Sequence, residues 1–128
     1  MLEVYLMERD AGDILDRYSI ARLKFERIGV EENKKEYDAF SPEVKKLQEK
    51  YLSIPIEMFA ELLYKINAMI WDLEADLRQG KLDGALSEVG RRAIGIREHN
   101  TLRVHVKNIL NTCVQEGFID VKKQHISE

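Results

Sequence analysis

The chain has 128 residues, enough for one hydrophobic core that closes without help from metals or disulfides. An apolar share of 45%, a charged share of 34% and a net charge of −3 predict a helix-rich soluble protein and exclude a general nucleic-acid binder. The single Cys113 excludes a disulfide framework and a cysteine-based zinc cluster and fits a reducing cytoplasm, and no apolar run approaches the ~20 residues of a membrane span.

Met1–Met7 is short and carries Glu3 where a signal peptide needs a basic start, so no targeting segment is expected. Leu2–Met7 is β-branched and aromatic enough for a short strand, with a frayed helical turn as the alternative. Asp10 then reads as an N-cap, with Asp13 in the first turn of a helix. Ile14, Tyr18, Ala21, Phe25 and Ile28 recur at helical spacing, and Gly29 ends that stripe. A second, very polar helix spans about 31–51, where Ser41-Pro42 predicts a break or a restart. Ser53-Ile54-Pro55 repeats that start signal.

The third helix carries Phe59, Leu62, Leu63, Ile66, Met69, Ile70, Leu73 and Leu77 on one arc, the strongest amphipathic pattern in the chain. Residues 79–84 form a connection with two glycines and a cap candidate, Asp83. A fourth helix is expected over about 85–115, closed by Gly117, with the tail Phe118–Lys122 alternating like a strand. The expected fold is an all-α antiparallel bundle built on a long hairpin of the third and fourth helices. A short two-stranded pairing of the N- and C-terminal segments would close it.

The fourth helix contains the most informative run, Glu98 to Asn111. Leu86, Val89, Ala93 and Ile96 define an arc whose continuation is Asn100, Arg103, Val104, Lys107 and Asn111, while Leu102, Val106, Ile109, Leu110 and Cys113 open a second apolar arc. Charge is concentrated here too. Residues 1–85 hold 13 Lys/Arg against 18 Asp/Glu, whereas 86–115 hold five against two. On the third helix, Asn67, Trp71, Glu74 and Arg78 follow one another at i, i+4, i+7 and i+11, with Glu74 and Arg78 spaced as an ion pair. If that flank faces the fourth helix, Asn67 and Glu74 meet Arg103 or Lys107.

Asn67, Trp71, Glu74, Arg78, Asn100, Arg103, Lys107 and Asn111 are the candidate site, a polar interhelical groove for an anionic small molecule such as a phosphate or sugar nucleotide, or for a protein partner. Asp16, Lys24 and Arg27 of the first helix are secondary candidates. The competing explanation is a structural hydrogen-bond network that sets helix register. No metal site or cofactor is expected. His99, His105 and His125 have no cage-forming spacing, and the serines and Cys113 lack a visible base. Asp72, Asp76 and Glu61 share one side of the third helix, as carboxylates holding Mg²⁺ would, but without the paired acidic motifs of helical nucleotide pyrophosphohydrolases. Gly90 and Gly95, inside a helix, point to close helix packing.

Three segments carry a family resemblance. Gly12-Asp13-Ile14-Leu15-Asp16-Arg17 with Ile20, Leu23-Lys24 and Glu26-Arg27-Ile28 is the first; Asn67, Trp71-Asp72-Leu73-Glu74, Asp76 and Arg78 the second; Asn100, Arg103, Lys107 and Asn108 or Asn111 the third. In this order and spacing they resemble a small family of bacterial proteins of unestablished activity, often encoded beside glycosyltransferases of surface-polysaccharide synthesis. The resemblance covers most of residues 3–123 but not 30–52 or the loop at 80–85. It implies a setting rather than an activity; with the polar groove, the expected function is a non-enzymatic binding or accessory module linked to sugar transfer or cell-envelope polysaccharide synthesis. The alternatives are an Mg²⁺-dependent enzyme on a phosphorylated or nucleotide substrate using Asp72, Asp76 or Glu74, and a structural homo-oligomer.

Overall fold

Asp10 starts the first helix as its position predicts. Its carboxylate accepts the Asp13 amide at 2.7 Å, satisfying one of the orphan donors of the first turn. The computed structural model describes residues 10–127, by backbone alone from 116 onward. These residues fold into four helices: α1 (Ala11–Arg27), α2 (Glu31–Lys50), α3 (Ile56–Arg78) and α4 (Leu86–Ser127). No strand occurs among the described residues, and the architecture is an all-α bundle.

α1 lies at the centre and packs on all three other helices. It is therefore buried on two sides. Ile14 and Ala21 belong to the expected stripe, while Leu15, Ser19 and Leu23 are at most 1% exposed on the other side, and Ile28 is left exposed. The second face was hidden in the sequence because Asp16 and Ser19 interrupt its leucines. Gly29, at φ 78°, ends α1 as expected. The core joins Ile14 and Leu15 to Val44 of α2, to Ile56, Phe59, Leu63, Ile66 and Ile70 of α3, and to Val106 and Leu110 of α4. Burial of each large apolar side chain contributes about 1.5–3 kcal/mol.

α2 runs unbroken through Pro42, contrary to the expected break. Phe40 and Val44 on either side are buried, so packing holds the helix across the missing amide, and Ser41 donates to the Tyr37 carbonyl at 3.2 Å. α3 begins directly after Pro55, with no side-chain cap.

α3 and α4 run antiparallel. Arg92 reaches Asp76, Gly95 meets Leu73, and Arg103 reaches Asn67, so positions on one helix rise as those on the other fall. Asp83 does not cap α4, which starts only at Leu86 after Gly84 at φ 92°. The early arc of α4 is only partly core, since Leu86 is 81% exposed and Ala93 is also exposed, while Val89 is half-buried and Ile96 packs against the core. The buried arc is the one through Val106 and Leu110, because the centre of the bundle lies against the later turns. Gly95 does sit close to a neighbour, with Leu73 3.2 Å from where its Cβ would be, but Gly90 faces open space.

Gly117 does not stop α4, and the tail expected as a strand forms its last turns. Adding a turn to an existing helix costs less than nucleating a new element, and an isolated strand pair is marginal. The expected strand partner, Leu2–Met7, lies outside the described residues.

Candidate functional site

The polar stripe divides into two layers. The lower layer is a closed network between α1, α3 and α4. Asn67 of α3, which is buried, donates to Asp16 Oδ1 at 2.9 Å and to Ser19 Oγ at 2.8 Å, while Ser19 donates to the Asp16 carbonyl at 2.7 Å. Arg103 Nη1 donates to Asn67 Oδ1 at 3.4 Å, and its Nε lies 4.0 Å from Asp16 Oδ1, buried and without a hydrogen bond. Lys107 Nζ sits 3.4 Å from Asp13 Oδ1 and 3.7 Å from Asp16 Oδ2. Two carboxylates thus face two cations. Burying Asp16 is tolerated because charges and amide donors surround it.

Close backbone approach makes this layer work. The Gly12 amide donates to Asn111 Oδ1 at 2.8 Å, so α4 supplies a cap for the first turn of α1. A Cβ on Gly12 would lie 2.8 Å from the Lys107 carbonyl oxygen and 3.0 Å from Asn111 Oδ1. Only glycine lets the helices meet here.

The upper layer is an open groove of about 360 Å³ lined by Asn67, Trp71, Glu74, Arg78, Asn100 and Arg103, with Ile20, Leu23 and Ile70 as its apolar part. Six of the eight candidate residues therefore meet in one place. Lys107 and Asn111 do not line it; they are spent on α1, on Asp13 and Asp16 and on the Gly12 amide. Of the secondary candidates, Asp16 belongs to the lower network. Arg27 pairs with Asp72, its guanidinium 5.8 Å from the Trp71 ring centre, and Lys24 does not line the groove. Ile20 and Leu23 belong to the first segment of the resemblance, and Ile70, read from the sequence only as part of an apolar arc, is signalled by its i+3 spacing from Asn67.

The expected Glu74–Arg78 ion pair is absent. Arg78 instead lies over the Trp71 indole, its guanidinium carbon 5.4 Å from the ring centre, a cation–π contact that fixes a planar fork of donors. Nor does Glu74 reach Arg103 or Lys107. Among the described residues, Glu74, Arg78 and Asn100 have no hydrogen bond or ion pair.

A larger groove of about 730 Å³ lies between α3 and the start of α4, lined by Met69, Leu73 and Ile94 together with Asp72, Asp76, Glu88 and Arg92. Its charges are matched except for Glu98, which also lines it. Arg92 sits 3.3 Å from Asp76 and 3.0 Å from Glu88, and Arg91 also bonds Glu88. The Arg91 and Arg92 hydrogen bonds hold the Glu88 carboxyl below the usual range. Asp72 pairs with Arg27, and Glu61 accepts from Arg22 at 2.6 Å. No group of three His, Cys, Asp or Glu among the described residues is placed to hold a metal ion. His99 Nδ1 is 2.7 Å from the Gly95 carbonyl. No helix among the described residues is long and apolar enough to cross a membrane.

Compared with models of known protein families, with curated proteins and with solved structures, the chain matches none.

Proposed function

We propose that the protein is a non-enzymatic binding or accessory module whose interhelical groove takes a small ligand bearing an oxyanion. One observation carries this reading. Among the described residues, Glu74, Arg78 and Asn100 have no hydrogen bond or ion pair, and they stand together around a groove with an apolar floor. A guanidinium stacked on an indole presents its donors at a fixed angle, the arrangement suited to a carboxylate or phosphate. The network reading applies to the lower layer only. The family resemblance adds a setting, beside enzymes of sugar transfer in surface-polysaccharide synthesis.

The test is a thermal-shift panel of sugar phosphates, nucleotide sugars and amino acids. A ligand present at 100 times its Kd stabilises the fold by about 2.7 kcal/mol. The reading expects at least one compound to raise the Tm of the parent but not of Arg78→Ala or Asn100→Ala. A panel without a single such shift removes it.

A second reading, a homo-oligomer, rests on Met58, Leu62 and Met69 of α3 with Leu102 and Ile109 of α4, all 40–56% exposed. On each helix these residues fall within a narrow arc, an apolar surface such as interfaces use. Sedimentation showing a concentration-independent monomer rules it out.

A further inference from the structure

We propose that the groove's ligand is a zwitterion, a compact molecule carrying one oxyanion and one ammonium group on an apolar body. This rests on the groove being a ligand site and adds the class of ligand. Beneath the groove, Asp16 lies against both Arg103 and Lys107, and Lys107 also reaches Asp13. At the groove itself stand two guanidiniums, Arg103, which already faces the buried Asp16, and Arg78, with one carboxylate, Glu74, one helical turn from Arg78 and not paired with it.

A nucleotide or other polyanion would bring several negative charges toward Glu74 and Asp16, with Arg78 the one lining cation not already facing a carboxylate. A lone phosphate or carboxylate would satisfy Arg78 but place a second negative charge beside Glu74, which like-charge repulsion opposes. A lone amine leaves Arg78 without an anion. A ligand with both groups a few ångström apart completes Glu74 and Arg78 together, each by a charge-assisted hydrogen bond.

The remaining lining fits the same molecule. Leu23 and Ile70 are nearly fully buried and, with Ile20, receive an apolar body, and the free Asn100 amide both donates and accepts. At about 360 Å³ the groove lies near the small end of ligand pockets, roughly 300–1,000 Å³, which suits a molecule of amino-acid size. An apolar α-amino acid and a phosphorylated amino sugar share the zwitterionic chemistry. The apolar floor favours the amino acid.

Trp71 is the only tryptophan in the chain, so its fluorescence reports on the groove alone. The full chain is titrated with free leucine, glucosamine phosphate, isocaproate (no ammonium), leucinamide (no oxyanion) and inorganic phosphate. The proposal expects saturable quenching or shift with leucine or glucosamine phosphate, the stronger of the two identifying the source. Isocaproate, leucinamide and phosphate should bind at least about tenfold more weakly, the loss of one charged hydrogen bond. Glu74→Gln should weaken the zwitterion by a similar factor with an unchanged circular dichroism spectrum, since Glu74 has no partner in the fold. If isocaproate or phosphate binds as tightly as either zwitterion, the ligand class is wrong while the groove reading stands. If no probe changes the fluorescence and the wider panel gives no thermal shift, both fall.

Discussion

Replacing Asn67 with alanine tests the lower layer directly. Asn67 is 7% exposed, and its amide serves Asp16, Ser19 and Arg103 at once. The substitution removes a hydrogen bond to a buried carboxylate, about 1.5–3 kcal/mol, and a neutral one to Ser19, about 1 kcal/mol. Arg103 does not compensate for the lost donor, because its Nε stands 4.0 Å from Asp16 Oδ1. A total near 3 kcal/mol follows, roughly 10 °C in Tm for a chain of this length. Urea unfolding followed by circular dichroism measures it. The double variant Asp16→Asn, Asn67→Ala should lose less than the sum of its parts, with a coupling of about 1–2 kcal/mol. A loss below about 0.5 kcal/mol for Asn67→Ala would refute the idea that this network holds the helices in register.

Other expectations follow from single contacts. Gly12→Ala should destabilise by about 1–3 kcal/mol despite alanine's better helix propensity, because the new methyl meets the Lys107 carbonyl, whereas Gly90→Ala, with nothing within 4 Å, should gain about 0.5–1 kcal/mol. Equilibrium unfolding of the pair reads both signs, and a stabilised Gly12→Ala would show that the helices do not approach so closely. Burial, with the Tyr37 hydroxyl beside it, pushes the Tyr18 phenol from its ordinary 10 up to about 12. The unfolded chain therefore releases this proton first, so the contribution is intact below pH ~10 and is lost as pH rises toward ~12. Stability measured across that window should fall with a steeper slope in the parent than in Tyr18→Phe, and equal slopes would contradict the burial. Asn111→Ala should cost about 1 kcal/mol through the uncapped Gly12 amide without affecting ligand binding, and a binding loss would return Asn111 to the groove.

Much of this site could be read from spacing. Asn67, Trp71, Glu74 and Arg78 repeat at helical intervals, as do Asn100 and Arg103, and antiparallel packing of α3 on α4 brings them together. What spacing does not give is rotation about the helix axis relative to a third element. Lys107 and Asn111 share the arc of Arg103, yet α1 crosses at their level and takes both. The same ambiguity misassigned Leu86 and Ala93, whose periodicity is as regular as that of Val106 and Leu110 but which lie against no central helix. Pro42 and Gly117 misled for a different reason. Their local preference to end a helix is overridden where buried Phe40 and Val44, or an already long helix, carry the chain onward. Glu74 and Arg78 had the spacing of an ion pair, and only the position of the indole decides that Arg78 turns to Trp71 instead.

The polar stripe holds two kinds of residue, those that keep the fold and those kept free of it. Measuring the unfolding free energy of Glu74→Ala, Arg78→Ala and Asn100→Ala beside Asn67→Ala tests this most directly. Glu74→Ala and Asn100→Ala are expected to stay within about 0.5 kcal/mol of the parent and Arg78→Ala within about 1 kcal/mol, the worth of its stack on Trp71, while Asn67→Ala loses about 3 kcal/mol. Losses of 2 kcal/mol or more at Glu74, Arg78 and Asn100 would place them in the structural network and contradict the groove as a site.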